Sequence, residues 1–374
     1  MRVLLFNFDE LGGLGGVEVA VVTLAEALSV RGLSAAIVEV ARESRPGRLL
    51  PSGIPVWSVT APSYPSLWRP RSWASFARAT LQFRAILRQF RPDIVHVHYP
   101  AAQCLPVVGA SQFPRNWKLI VTVHNSDIRV SPFQEPRLRT WQARLFAYAD
   151  TLTAVSQSLL DDAAELYPNF RRKAQVVHNG VGTRWFQLSL NQETTGGFVL
   201  YAGRLHTVKG VDLLLTAWKT VSARCPGTEL WIVGDGPQRQ NLEDLAARLK
   251  LPGVRFLGAK STDELPTFYR DARVVVLPSR REGLPISLLE AGACGAICVG
   301  SRTPGIPEII EEGITGYLVP VESVEEIAEA VSRVLELPPE PVWKMRKAAR
   351  DRIAHKFSEQ VMIEKYISTY QALQ

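Results

Sequence analysis

The sequence predicts an α/β protein: two doubly wound, Rossmann-like domains facing each other across a cleft. Two observations predict it. Short β-branched runs alternate with helix-length segments throughout the chain, and a polar, glycine-bearing stretch, Asn191–Gly197, interrupts the alternation midway. Size agrees, because 374 residues at roughly 150 per domain make two domains, each large enough for its own core. The first is expected over 1–190 and the second over 196–357.

In the first half, strands are expected at Arg2–Phe8, Ala35–Val40, Ile94–His98, Leu119–His124, Leu152–Val155 and Gln175–His178. Helical stretches lie between them, for example Gly16–Val30 and Ser72–Gln89. In the second half they are expected at Phe198–Ala202, Glu229–Val233, Val254–Leu257, Arg273–Leu277 and Ala296–Val299. Strands separated by helices pair in parallel and are covered on both faces. Ligands of such sheets sit beyond the carboxyl ends of the strands, so the loops there are expected to carry the chemistry. From Val342 onward the pattern is helical, and periodicity alone leaves open which domain receives the last helix, near Ser358–Ala372.

With 46% hydrophobic and 21% charged residues, the composition excludes a disordered or fibrous chain. No apolar run approaches the ~18 residues of a membrane span. The opening residues, Met1 to Glu10, reach acid too soon for a secretory signal and read as a first strand. Cys104, Cys225, Cys294 and Cys298 show no metal-ligand spacing. A cytoplasmic enzyme is expected.

The charge is lopsided. Residues 1–190 hold 21 Lys+Arg against 13 Asp+Glu, the remainder 22 against 23, which together give the net +7. Positive charge confined to one half suggests an anionic partner: a phospholipid surface, a phosphorylated acceptor or nucleic acid. Along Ser72–Phe90, Phe76, Phe83, Ile86, Leu87 and Phe90 share one helical face, and Arg84, Arg88 and Arg91 occupy another. Two readings stand: an amphipathic helix packed on the core, or a basic face resting on an anionic membrane, where each such residue adds ~1 kcal/mol. No recognisable nucleic-acid-binding module accompanies the arginines.

Four groups of residues are placed to do chemistry. The first strand runs through Glu10-Leu-Gly-Gly-Leu-Gly-Gly16 into a helix, where glycines permit close backbone approach and the helix start offers N–H groups to an anion. A nicotinamide-type fingerprint starting at Gly13 would need glycine where Glu18 stands, although Glu39 occupies the place of a ribose-binding acid; a tight turn without ligand is the plain alternative. Arg204 and Lys209, in Ala202–Gly210, come at a strand's carboxyl end beside a helix start, where two cations make a diphosphate site or merely solvated surface. In Val276–Gly295, Glu282 lies at a helix mouth, Pro285 suits the first turn, and Glu290 sits about a turn and a half inside. One carboxylate there can hold a hydroxyl at the reacting end of a ligand and the other a ribose diol, with the N–H groups near Leu284 and Ile286 aimed between them. His124 ends Ile120–His124 and is placed either to hydrogen-bond a donor sugar or phosphate or to hold its own loop; Asp127 is a weaker candidate.

The chain closely resembles the family 4 retaining glycosyltransferases of the GT-B fold. The resemblance is carried by the Gly12–Gly16 loop, Asp93–His98, Val121–His124, Thr153–Ser156, His178–Val181, Gly203–Gly210, Gly234–Pro237, Phe256–Gly258, Glu282 to Glu290 and Pro307–Ile310. It implies transfer of a sugar from a nucleotide diphosphate sugar, expected as a UDP- or GDP-linked hexose, with retention at the anomeric carbon. The basic face resting on a membrane would suit a glycan or lipid-linked acceptor, as in cell-surface polysaccharide or glycolipid synthesis. By resemblance, Arg204 and Lys209 bind the diphosphate, Glu282 with Gly283 and Leu284 the donor sugar, Glu290 the ribose, Gly15 and Gly16 the diphosphate, and Lys260 lies near the base. His124, Arg204, Lys209 and Glu282 form the expected catalytic set. The family returns its last helix, 358–374, to the N-terminal domain. Two departures stand out: Gly295–Ser301 lacks the usual Pro-Val after glycine, and Thr303-Pro-Gly305 replaces a common Gly-Gly.

Departure of a diphosphate develops negative charge, and the sequence has no Asp-x-Asp metal-ligand pair. Neither a metal nor a cofactor is therefore expected, and cations with helix-end amides are expected to supply the positive field. Two alternatives are kept: a nucleotide-sugar epimerase on the same fold, and a non-catalytic sugar-binding relative. Peripheral contact with an anionic membrane is a further expectation.

Overall fold

In the computed structural model, residues 1–11, 16–41, 43, 47–60, 70–190 and 197–374 are described. Two sheets form. The first is built from β1 (Arg2–Asn7), β2 (Ser34–Val40), β3 (Arg48–Leu49), β4 (Pro55–Val59), β5 (Ile94–His98), β6 (Lys118–Val123), β7 (Thr151–Ala154) and β8 (Ala174–Val176). Its order is β3-β4-β2-β1-β5-β6-β7-β8. All its pairings are parallel except β3 with β4. The second contains β9 (Phe198–Ala202), β10 (Glu229–Val233), β11 (Val254–Gly258), β12 (Val274–Leu277), β13 (Cys298–Ser301) and β14 (Gly316–Val319). Its order is β11-β10-β9-β12-β13-β14, parallel throughout.

Each sheet therefore has one place where the winding reverses: between β1 and β5 in the first, between β9 and β12 in the second. Loops leaving neighbouring strands diverge there, and the gap between them is where such sheets take ligands.

The chain divides into a unit of Met1–Asn179 with Met362–Gln374 and a unit of Gly180–Val361. The first boundary falls before the expected 190 because Gly180–Leu190 is tied to the second unit. The Val181 N–H donates to Phe357 O and the Glu359 N–H to Val181 O. Trp185 is buried beside the Tyr269 ring, and the Arg350 guanidinium donates to the carbonyls of Phe186 and Leu188. At the other end, the helix Glu359–Gln371 joins the first unit from Met362. There Met362, Ile363, Tyr366 and Tyr370 are buried with Val3, Leu5, Leu24 and Leu28.

Strand ends otherwise shift by a residue or two. Three strands were not anticipated: β3, β4 and β14. β3 and β14 are two and four residues long, β4 opens on Pro55, and β14 follows the turn at Gly313, so none shows a β-branched run. The helix Pro70–Phe90 packs its apolar face on the first unit. Phe83 and Ile86 are buried, Phe83 meets Phe6 edge-on, and Phe90 meets Trp57. Arg84 lies over the Phe113 ring, 4.0 Å from its centre, while Arg88 and Arg91 are exposed. No helix among the described residues is long and apolar enough to cross a membrane.

Candidate active site

At the reversal of the second sheet, the loop after β9 carries Arg204 and Lys209, and the loop after β12 carries Glu282 and Gly283. The close approach of the two loops depends on Gly210, at φ +68°: a Cβ there would lie 2.1 Å from Pro278 O. Arg280 then fastens them. Its backbone N–H donates to Val208 O, and its guanidinium to Thr207 O and both oxygens of Asp212.

The result is an ion pair at the reversal. Lys209 Nζ lies 2.7 Å from Glu282 Oε1, and Ser279 Oγ donates to the same oxygen at 2.7 Å. The Glu282 side chain is 7% exposed and that of Lys209 26%. Burying a carboxylate this far is costly without such partners. Arg204, five residues before Lys209, is exposed, and among the described residues its guanidinium makes no ion pair or hydrogen bond. The loop is thus built with one cation matched and one available.

Gly283 and Leu284, which follow Glu282 in the chain, are buried, and the helix Ile286–Ala293 begins without a side-chain cap. Glu290 lies within that helix, partly buried, with Tyr269 Oη 3.4 Å away. Burial pushes its carboxyl up to about 8, against the opposing hydrogen bond from Tyr269 and the charge of Arg184. Lys260 follows the edge strand β11, two strands from β9, and pairs with Glu264 at 3.3 Å. It belongs to the carboxyl edge of the sheet but not to the cluster at the reversal.

In the N-terminal unit, Gly16 is the exposed first residue of the helix Gly16–Val30, while Gly15 lies outside the described residues. Glu39 is fully engaged: its carboxylate accepts from the Leu11 N–H, Arg48 and Ser58 Oγ, each at 2.9 Å. It fastens the start of the glycine loop to β3 and β4, which removes the ribose-binding role of a nicotinamide site.

His124 is 6% exposed and Asp127 fully buried. The Asp127 carboxylate accepts from the backbone N–H groups of His124 and Asn125, and burial nevertheless pushes it up to about 6. The Asp127 carboxylate thus holds the backbone of this loop. Burial lowers the pKa of His124 to about 3, so the ring is neutral at ordinary pH. Its Nε2 faces His98 Nδ1 at 3.1 Å.

Sequence reasoning did not single out Ser279, Arg280, Gly305 or His98. Gly305, seen only as a departure, has φ +93°, and a Cβ on it would stand 1.8 Å from Gly283 O. His98 entered only as the last residue of the strand Ile94–His98; its signal was the alternation His96-Val-His98, which puts both rings on one face.

Two Rossmann-like units, the second with charged loops at its reversal, are the architecture of the GT-B fold. Residues 186–352 match the family described as Glycosyl transferases group 1, and residues 14–185 match Glycosyltransferase Family 4. The chain belongs to this family. Among curated relatives, glycogen synthase of Mycobacterium tuberculosis is 30% identical over 76% of this chain and 70% of its own. N-acetyl-alpha-D-glucosaminyl L-malate synthase of Bacillus anthracis is 29% identical, with 74% of each chain covered. D-inositol 3-phosphate glycosyltransferase of Saccharomonospora viridis is 28% identical over 92% of this chain and 86% of its own. Among solved structures, sucrose-phosphate synthase from Thermosynechococcus elongatus superposes with a TM-score of 0.82 at 20% identity, covering 100% of this chain and 98% of that one. Anabaena HepE in complex with UDP-glucose gives 0.81 at 19%, with both chains fully covered. These two show the same fold.

Proposed function

We propose that the protein is a retaining, metal-independent hexosyltransferase using a UDP- or GDP-linked sugar. The observation that carries the reading is the Lys209–Glu282 pair at the β9/β12 reversal, with Arg204 exposed and unengaged on the same loop. Arg204 and Lys209 take the diphosphate, and Glu282 holds a hydroxyl of the transferred sugar. Glu290 receives the ribose diol, with Gly283 and Leu284 forming the wall beneath the sugar.

As the bond from the anomeric carbon to the phosphate oxygen breaks, negative charge grows on the diphosphate and two cations meet it. The acceptor oxygen bonds to the anomeric carbon on the face the phosphate leaves, and its proton passes to the departing phosphate oxygen. His124, neutral and held by its backbone, serves as a hydrogen-bond donor to the sugar or phosphate.

The acceptor is read as a glycan or a lipid-linked sugar of cell-surface polymer or glycolipid synthesis, handled in the cytoplasm. A small anionic acceptor is the second reading, supported by the excess of cations in residues 1–190 and by relatives named for L-malate and inositol 3-phosphate. Peripheral contact with an anionic membrane would rest on charge alone, because the apolar face of Pro70–Phe90 is spent on the core. Co-sedimentation with vesicles independent of their anionic lipid content removes that contact.

A panel of nucleotide sugars, scored in EDTA by thermal stabilisation and slow hydrolysis, tests the donor reading. One UDP- or GDP-hexose is expected to stabilise and to yield the product of retained configuration. An inverted product, or turnover that needs Mg²⁺ restored, contradicts it. Conversion of the donor sugar to its epimer without any acceptor supports the epimerase alternative.

A further inference from the structure

Three histidines are buried on one face of the first sheet: His96 in the middle of β5, His98 at its carboxyl end and His124 just after β6. Only His124 enters the reaction proposed above. His98 Nδ1 lies 3.1 Å from His124 Nε2. Burial holds both rings neutral, so each has one N–H and one lone pair. The direction of this single hydrogen bond therefore fixes the tautomer of both rings.

The direction can be read from the far side of His98. Its Nε2 is buried and has no hydrogen-bond partner among the described residues. Its register neighbour on β1 is Asn7, fully buried, whose amide nitrogen donates to Asp9 O at 2.8 Å. That leaves Asn7 Oδ1, which can only accept, also without a partner among the described residues. A buried N–H left unpaired is rarer than a bare acceptor. Nε2 is therefore read as the bare nitrogen, with the proton of His98 on Nδ1.

We propose that His98 is a positioning residue that sets the tautomer of His124. Its Nδ1–H donates to His124 Nε2 and so obliges His124 to keep its own proton on Nδ1. His124 then meets its substrate as a hydrogen-bond donor, and its lone pair is occupied, which excludes it as a general base. His96 keeps the His98 ring from turning: the two rings lie 4.1 Å apart. His96 is itself pinned by Tyr370 Oη at 2.9 Å and Thr122 Oγ1 at 2.6 Å. The proposal rests on the reading of His124 as a substrate-contacting group, and its test separates the two.

With six histidines in the chain, long-range ¹H–¹⁵N correlation spectra of the labelled wild-type protein can resolve each ring. His124 is expected as the Nδ1–H tautomer and His98 likewise. In His98→Leu, His124 is expected to shift toward the Nε2–H form and kcat to fall about tenfold or more, as when a group that orients a reacting ligand is lost, with the donor KM little changed. An asparagine amide reaches the position of Nδ1, so His98→Asn is expected to restore both the tautomer and most of the rate. His124 found as Nε2–H in the wild type overturns the assignment of His98 whatever the rates. His98→Asn no more active than His98→Leu, with both folded by their melting curves, also overturns it. His124→Ala at the wild-type rate instead defeats the reading of His124, while the spectra still decide the tautomer.

Discussion

The ammonium of Lys209 and the carboxylate of Glu282 are 2.7 Å apart, although the two residues are 73 positions apart in the chain and leave different strands. Each holds the other in place at the reversal of the second sheet. The pair makes stability and activity separable. Lys209→Met is expected to cost up to about 3 kcal/mol, the lower end for breaking a buried pair because Lys209 is partly exposed. Lys209→Met with Glu282→Gln is expected to recover most of that stability and none of the activity. Urea melts and initial rates on the same three proteins check this.

Glu290 predicts how donor binding depends on pH. Its carboxyl is raised to about 8 in the folded protein, so without ligand it is mostly protonated at pH 7. A carboxylate accepts from both hydroxyls of a ribose diol and a protonated acid from only one, so nucleotide binding is expected to release a proton. Affinity for UDP or GDP should then rise between pH 6 and 8 and level off above, and Glu290→Gln should flatten the trend. Calorimetry in buffers of differing ionisation enthalpy reads the proton directly.

The buried histidines predict acid lability of the N-terminal unit. The pKa values of His96 and His124 are lowered to about 3 and that of His98 well below 6.5, all mainly by burial. Above pH 6.5 neither state binds these protons and stability is full. As pH falls from 6.5 toward 3, the unfolded chain takes up protons that the folded one refuses. Each histidine then removes about 1.4 kcal/mol per pH unit. Asp127, raised to about 6, works in the opposite sense between pH 6 and 4 and offsets about one of the three. Melting curves from pH 7 to 4 are expected to show a steep loss, made shallower by His96→Gln.

Gly305 predicts a substitution that acts through backbone contact. Gly305→Ala would place a methyl against Gly283 O at a positive φ. Moving the glutamate loop to relieve it is expected to cost about 1–3 kcal/mol and to raise the donor KM several-fold. An unchanged KM would mean that the loop's position does not matter to the donor.

Much of this was legible in the sequence because parallel strands buried on both faces leave plain runs, such as Val274–Leu277, between helical segments. Arg204, Lys209 and Glu282 were legible because each follows such a run. Their pairing was not: nothing in the spacing says that the β9 and β12 loops are neighbours, which follows from the reversed winding. Short edge strands such as β3 escaped because two residues carry no periodicity. The boundary at Asn179 escaped because Gly180–Leu190 is bound to the second unit by backbone bonds and by Arg350, which composition does not reveal. His98 escaped because its importance lies in one ring nitrogen bonded and the other bare.

The central claim is that Arg204 and Lys209 meet the charge of the departing diphosphate. The most direct measurement is the single-turnover rate of Arg204→Ala in EDTA with the donor that stabilises the wild type. Arg204 is exposed, so the variant is expected to melt like the wild type and to transfer about 10²–10³ times more slowly. A folded Arg204→Ala protein that transfers at the wild-type rate contradicts the account.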